Sequence, residues 1–230
     1  MLNIVIVVLL ALLVGALNGF LSAVLKLHPL IITLGTGFMV YGALLVYTKG
    51  VPPGQAPQIL VNISSLAGKT LGIHLPFVIV VWAIIALLTI WLLRSTRFGR
   101  QIYAVGANSK AAELTLISRV RVWTFVFMGS AFLAAVTGIL LAGYTGSGDV
   151  TVGSQYLFLS VGAVVIGGTS LLGGSGGYTG TIAGTILLTE ISIVLVGMNV
   201  GPSMQEVLYG VIILIMISIY GRELHVKNRM

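Results

Sequence analysis

The chain has 230 residues, of which 57% are hydrophobic and 7% charged, with 12 basic residues against 5 acidic for a net charge of +7. A soluble domain carries about 25% charged residues, and a disordered one needs low hydrophobicity, so both classes are excluded. The mean hydropathy of +1.11 points instead to an all-α, polytopic membrane protein. The basic residues are not interleaved with aromatics on a soluble face, which argues against nucleic acid as a partner and leaves the lipid bilayer as the surroundings. The sequence contains no cysteine, which removes disulfides, thiolate metal sites and cysteine nucleophiles together.

Seven apolar stretches follow one another along the chain. They are Leu2–Leu25, Leu30–Tyr47, Leu75–Leu93, Val122–Tyr144, Tyr156–Leu172, Tyr178–Met198 and Met204–Tyr220. The first lacks a basic n-region and a small-residue cleavage pattern, so it reads as a retained span. The fifth is short and rich in glycine, and it either crosses or re-enters. The whole of 1–230 is expected to form one transmembrane domain, with polar loops at 48–74 and 94–121. Half of the basic residues, Arg94, Arg97, Arg100, Lys110, Arg119 and Arg121, lie in the second of these loops. Placing that loop in the cytoplasm puts ten basic residues inside and two, Lys49 and Lys69, outside. The predicted topology is therefore N-out, C-in.

The basic loop contains more than topogenic charge. Gly106-Ala107-Asn108 is a turn or N-cap signal, and the helix-friendly run Ser109 to Leu116 follows it. A short capped helix with charged flanks suits docking to a soluble partner, and plain positive-inside charge is the alternative reading. A second glycine-rich stretch includes Gly167, Gly168, Gly173, Gly174, Gly176, Gly180 and Gly184. It lacks the Lys-Ser/Thr ending of a phosphate-binding loop, so close helix packing is expected, with Gly176, Gly180 and Gly184 four apart on one face. Gly68-Lys69-Thr70 imitates the end of such a loop, but Ile63 stands where glycine is required. ATP hydrolysis is not expected on this chain.

On the sixth span, Thr181, Thr185, Thr189 and Ser192 share a face roughly opposite the glycines. They either line a polar path for a polyhydroxyl substrate or bond the carbonyl one turn back. Glu190 lies between the two faces, as a functional intramembrane acid or as a neutral hydrogen-bonded one. Asn18 and Thr33, in glycine-rich helical settings, are read as interhelical hydrogen-bonding residues, with the substrate path as the other role. His28 and His74 sit at loop edges without metal-ligand spacing, and no hydrolase motif or carboxylate pair is present, so no metal site and no enzyme are expected.

Taken together, these stretches resemble the permease subunits of ribose-type ABC importers. Four pieces carry the resemblance: Gly19 through Thr36, Thr96 through Asn108 continuing to Ala111-Ala112, Ala163 through Gly174, and Tyr209 through Leu214. There are departures. Leu116-Ile117 stands where the family has Gly-Ile, and Leu157 and Leu159 replace an acidic pair. Family members are also longer at the front by a segment that includes a Gly-Ile-Asp-Leu-Ser-Val-Gly-like run. The chain thus looks like the C-terminal seven spans of such a permease.

The resemblance implies import of a ribose-like monosaccharide across the bacterial inner membrane. The implied partners are a cytoplasmic ATPase subunit holding ATP and magnesium, a second permease chain, and a periplasmic sugar-binding protein. It makes Gly106 to Leu116 a coupling helix, with Gly99, Arg100, Gly106, Asn108, Ala111, Ala112 and Glu113 as the coupling residues. Asn18, Thr33, Thr181, Thr185, Thr189 and Glu190 are the candidates for the sugar path. No cofactor is expected on the chain itself. An ion-coupled carrier using Glu190, or a non-transporting remnant, are the rival readings.

Overall fold

The computed structural model describes residues 2–50, 54–65, 76–150, 152–171, 173–201, 203–212 and 214–215. Lys69, His74, Leu172 and the basic tail with Arg222, Lys227 and Arg229 lie outside the described residues. The helices are α1 (Leu2–Leu25), α2 (Pro29–Thr48), α3 (Gln58–Ser64), α4 (Phe77–Ser95), α5 (Arg97–Ala107), α6 (Ser109–Leu114), α7 (Arg119–Thr145), α8 (Ser154–Ile166) and α9 (Tyr178–Gly197). A further helical stretch runs over 203–212. Among the described residues the extended structure is an isolated bridge between Gln55 and Ser147. The protein is an all-α, polytopic membrane protein, as hydropathy demands: hydrocarbon offers backbone amides no partner, so each span must satisfy its own.

Five helices among the described residues are long and apolar enough to cross a membrane: α1, α2, α4, α7 and α9. The fifth predicted span differs. Helix α8 has 13 residues and stops at Ile166 instead of running to Leu172. At 1.5 Å per residue it is about 20 Å long, short of the roughly 30 Å hydrocarbon core. Beyond its end, Gly168, Gly173, Gly174 and Gly176 all have positive φ and turn the chain. Of the last predicted span, 216–220 lie outside the described residues.

The chain divides into two compact units, Met1–Thr151 and Val152–Met230. In the first, α1 packs against α7 by backbone contact. A methyl group on Gly15 would lie 2.6 Å from the Phe127 carbonyl oxygen, and one on Gly19 would lie 2.6 Å from Thr124 Cα. Two glycines four apart therefore let the two backbones meet, the small-residue packing that replaces hydrophobic drive inside a bilayer. Asn18 and Ser22, one turn along the same face, are buried with Asn18 Oδ1 and Ser22 Oγ lacking a hydrogen-bond partner. Helix α3, inside the expected outer loop, packs on the far end of α7 where Gly143 meets Leu60 and Ser64. A hydrogen bond of 2.8 Å from Ala56 N to the Gly146 oxygen fastens the chain there.

In the second unit, α8 and α9 approach through glycine as well. A side chain on Gly180 would strike the Gly167 carbonyl, and one on Gly184 would strike that of Ala163. Ala163, Leu188 and Tyr209 form the buried cluster, so the 203–212 helical stretch belongs to this core.

Candidate functional site

The basic loop folds as a built structure. Thr96 ends α4 and starts α5: its Oγ1 donates to the Leu92 oxygen at 2.6 Å and accepts from Gly99 N at 3.0 Å. This tight corner requires glycine at 99, because any side chain there would meet the Leu92 and Leu93 carbonyls. Helix α5 turns Val105 inward, and Val105, Ala112 and Val122 close a small core joined by Ile102, Ile117, Trp123 and Val126. That core ties α5 and α6 to the start of α7. Beside it, the Arg119 guanidinium lies 5.0 Å over the Trp123 ring, a cation–π contact.

Helix α6 is capped at both ends. Asn108 Oδ1 accepts from Ala111 N at 3.1 Å, satisfying one of the first-turn amides. At the other end, Ile117 N donates to the Ala112 oxygen at 3.1 Å and Leu116 N to the Glu113 oxygen at 3.0 Å. This pair of bonds is a Schellman ending, with Ile117 packed back into the core. Its pivotal residue takes the left-handed conformation that glycine adopts freely, and here it is Leu116, at φ 62°. A residue with a Cβ in that conformation costs about 1–2 kcal/mol. The same residue is the departure noted in the sequence, a leucine where glycine is usual.

The predicted coupling residues separate by environment. Gly99 and Ala112 are buried and hold the loop's shape, Gly106 is half-buried, and Arg100, Asn108, Ala111 and Glu113 are exposed. Ala112 is thus a packing residue rather than a contact surface. Sequence reasoning passed over Leu114 and Leu116 as site residues, yet they are 87% and 96% exposed, the two most exposed large apolar side chains among the described residues. The signal available was an apolar pair at a helix end within a charged loop.

The candidate sugar-path residues are dispersed over both units. Thr33 Oγ1 on α2 donates to the Leu30 oxygen at 3.2 Å. On α9, Thr185 and Thr189 each donate to the oxygen one turn back at 2.8 Å, and Thr181 does so at 3.5 Å. Their protons are engaged by their own helix, which leaves acceptor lone pairs to face outward. Glu190 is exposed on the surface of its unit, and Asn18 is buried on α1. Of the glycines, Gly167, Gly180 and Gly184 make the helix–helix approach. Gly168, Gly173 and Gly174 lie in the turn, and Gly176, at φ 128°, precedes α9 and abuts Thr169 rather than sharing the helix face. His28 caps α2, its Nδ1 accepting from Leu30 N at 3.4 Å. Among the described residues no three His, Cys, Asp or Glu side chains gather as a metal site would require.

The family described as "Branched-chain amino acid transport system / permease component" matches residues 1–217. The chain is 32% identical to a galactose/methyl galactoside import permease of Haemophilus influenzae over 209 residues, covering 90% of this chain and 62% of that protein. It is 36% identical to a ribose import permease of Bacillus subtilis over 200 residues, covering 86% of this chain and 61% of the relative. A third relative, an autoinducer 2 import system permease of Photorhabdus temperata, is 32% identical over 224 residues, 92% of this chain and 65% of its own. The chain spans less than two thirds of the length of these relatives. A comparison with solved structures finds no significant match. Helices of lipid-crossing length and apolar composition, a capped helix in a basic loop and a match over nearly the whole chain lead to one conclusion: the protein belongs to this family of transport-system permease components.

Proposed function

We propose that the chain is the membrane-spanning subunit of an ATP-driven importer that carries a monosaccharide inward across the bacterial inner membrane. The observation that carries this reading is the similarity, along most of the chain, to permeases whose names state galactose or ribose import. The chain itself is not an enzyme in this reading and holds no cofactor; ATP and magnesium sit on a separate cytoplasmic ATPase subunit. A periplasmic binding protein delivers the sugar, and a second permease chain completes the path. The N-out, C-in orientation places 94–121 on the ATPase side.

The coupling role of α6 has mechanical support. The Val105–Ala112–Val122 core fastens α6 to α7, and α7 is locked to α1 through Gly15 and Gly19. A displacement imposed on α6 by closing ATPases is therefore passed to two spans as a rigid group, a two-state element biased by a partner's ligand. The hydroxyl oxygens of Thr185 and Thr189 suit a sugar's donors, and specificity resides largely in the binding protein. The test is uptake of labelled ribose and galactose into vesicles carrying the chain together with its second permease chain, ATPase and binding protein. Uptake is expected to require ATP. Uptake that instead follows an ion gradient without any ATPase would overturn the proposal in favour of an ion-coupled carrier.

A further inference from the structure

We infer that Leu114 and Leu116 form an apolar knob that seats in a pocket of the ATPase subunit, so that partner choice rests on this pair and not on the capped helix alone. The inference rests on the reading of 106–116 as the coupling segment. Four observations carry it. The two leucines are 87% and 96% exposed, although the segment lies outside every helix apolar enough to cross the membrane. Leu116 occupies the left-handed pivot of a Schellman ending, at φ 62°, where glycine would be free of strain. The pivot is held by two backbone bonds and by Ile117 packed into the core, so its side chain is aimed outward by a fixed frame. Finally, Arg97, Arg100, Lys110 and Arg121 are exposed within the same 94–121 loop, against the single exposed acid Glu113 beside Leu114 in the chain, so the loop that carries the pair is net basic.

These features define the partner's complement: a small apolar pocket with an acidic rim, on a soluble protein. A lipid surface fits less well. Interfacial helices present a continuous apolar face, whereas Val105 on α5 is buried and Ile102 packs on the same inward core, and α6 has only six residues. Lipid also imposes no shape demand that would favour leucine over glycine at a strained pivot.

The test places the photo-crosslinking amino acid p-benzoylphenylalanine at position 116, and separately at 110, in the full chain in its host membrane. The expected result is an adduct from position 116 that mass spectrometry identifies as an ABC ATPase subunit. An ATPase adduct from position 110, with position 116 joined only to lipid or to nothing, would overturn the knob while leaving the coupling reading intact. ATPase adducts from neither position would overturn both. A second measurement uses Leu116→Gly, which relieves the pivot and removes the side chain. Binding of the ATPase to the purified variant in nanodiscs is expected to weaken about tenfold, as loss of one buried leucine implies, while the thermal midpoint of the chain rises. Unchanged ATPase binding by Leu116→Gly would also sink the inference.

Discussion

Asn108 caps the short helix α6 and Ala112 lies four residues on within it, and they answer to different physics. Asn108 is exposed and its side chain caps the first turn, so Asn108→Ala removes a cap worth about 1 kcal/mol. The expected outcome is a modest drop in thermal stability with looser coupling of ATP hydrolysis to uptake, read as more phosphate released per sugar. Ala112 is 5% exposed inside the Val105–Val122 core. Ala112→Arg would bury an unpaired charge at a cost of several kcal/mol, so loss of folded protein is expected in place of clean uncoupling. Gel-filtration yield separates the two variants. Paired alanines next to a cap look equivalent in sequence, and only the packing of 112 against 122 distinguishes them. Glu190 gives a third residue-scale prediction. In an ATP-driven importer Glu190→Gln is expected to retain ATP-dependent uptake, whereas abolished uptake with intact ATPase binding would mark it as an essential path residue.

At the scale of elements, the glycines divide into those that touch a neighbour and those that do not. A methyl group on Gly19 would collide with the backbone of α7, whereas one on Gly35 in α2 meets nothing within 4 Å. Gly19→Ala is therefore expected to destabilise by about 1–3 kcal/mol through overpacking. Gly35→Ala is expected to be neutral or to stabilise by up to about 1 kcal/mol through helix propensity. Thermal unfolding of both variants in the same detergent checks the sign. The spacing of Gly180 and Gly184 on the sixth predicted span made their packing legible. The Gly15–Gly19 pair had the same spacing but was read only for the Asn18 between them. The extent of α8 was not legible, because an apolar run scores alike whether it continues as helix or turns at Gly167 and Gly168. Helix α3 was likewise unseen, since seven residues inside a polar loop carry too short a period to register.

For the molecule as a whole, the charge asymmetry makes a direct prediction. The chain has no cysteine, so single cysteines report sidedness without background. Lys49→Cys is expected to react with a membrane-impermeant maleimide in intact cells, and Lys110→Cys only after permeabilisation. The reverse pattern would invert the proposed topology and remove 94–121 from the ATPase side. Membership of the all-α membrane class, the order of the long spans and the existence of a capped helix in the basic loop were all determined by the sequence alone. Hydropathy, charge and capping are properties of contiguous residues, and each segment meets the bilayer largely on its own terms. The tertiary structure decided which glycines bring backbones together and which turn the chain, which loop residues are core and which are surface, and that Leu116 is held outward at a strained pivot. Those outcomes depend on partners far along the chain, Gly15 on Phe127 and Ala112 on Val122, and such contacts exist only once the helices have packed.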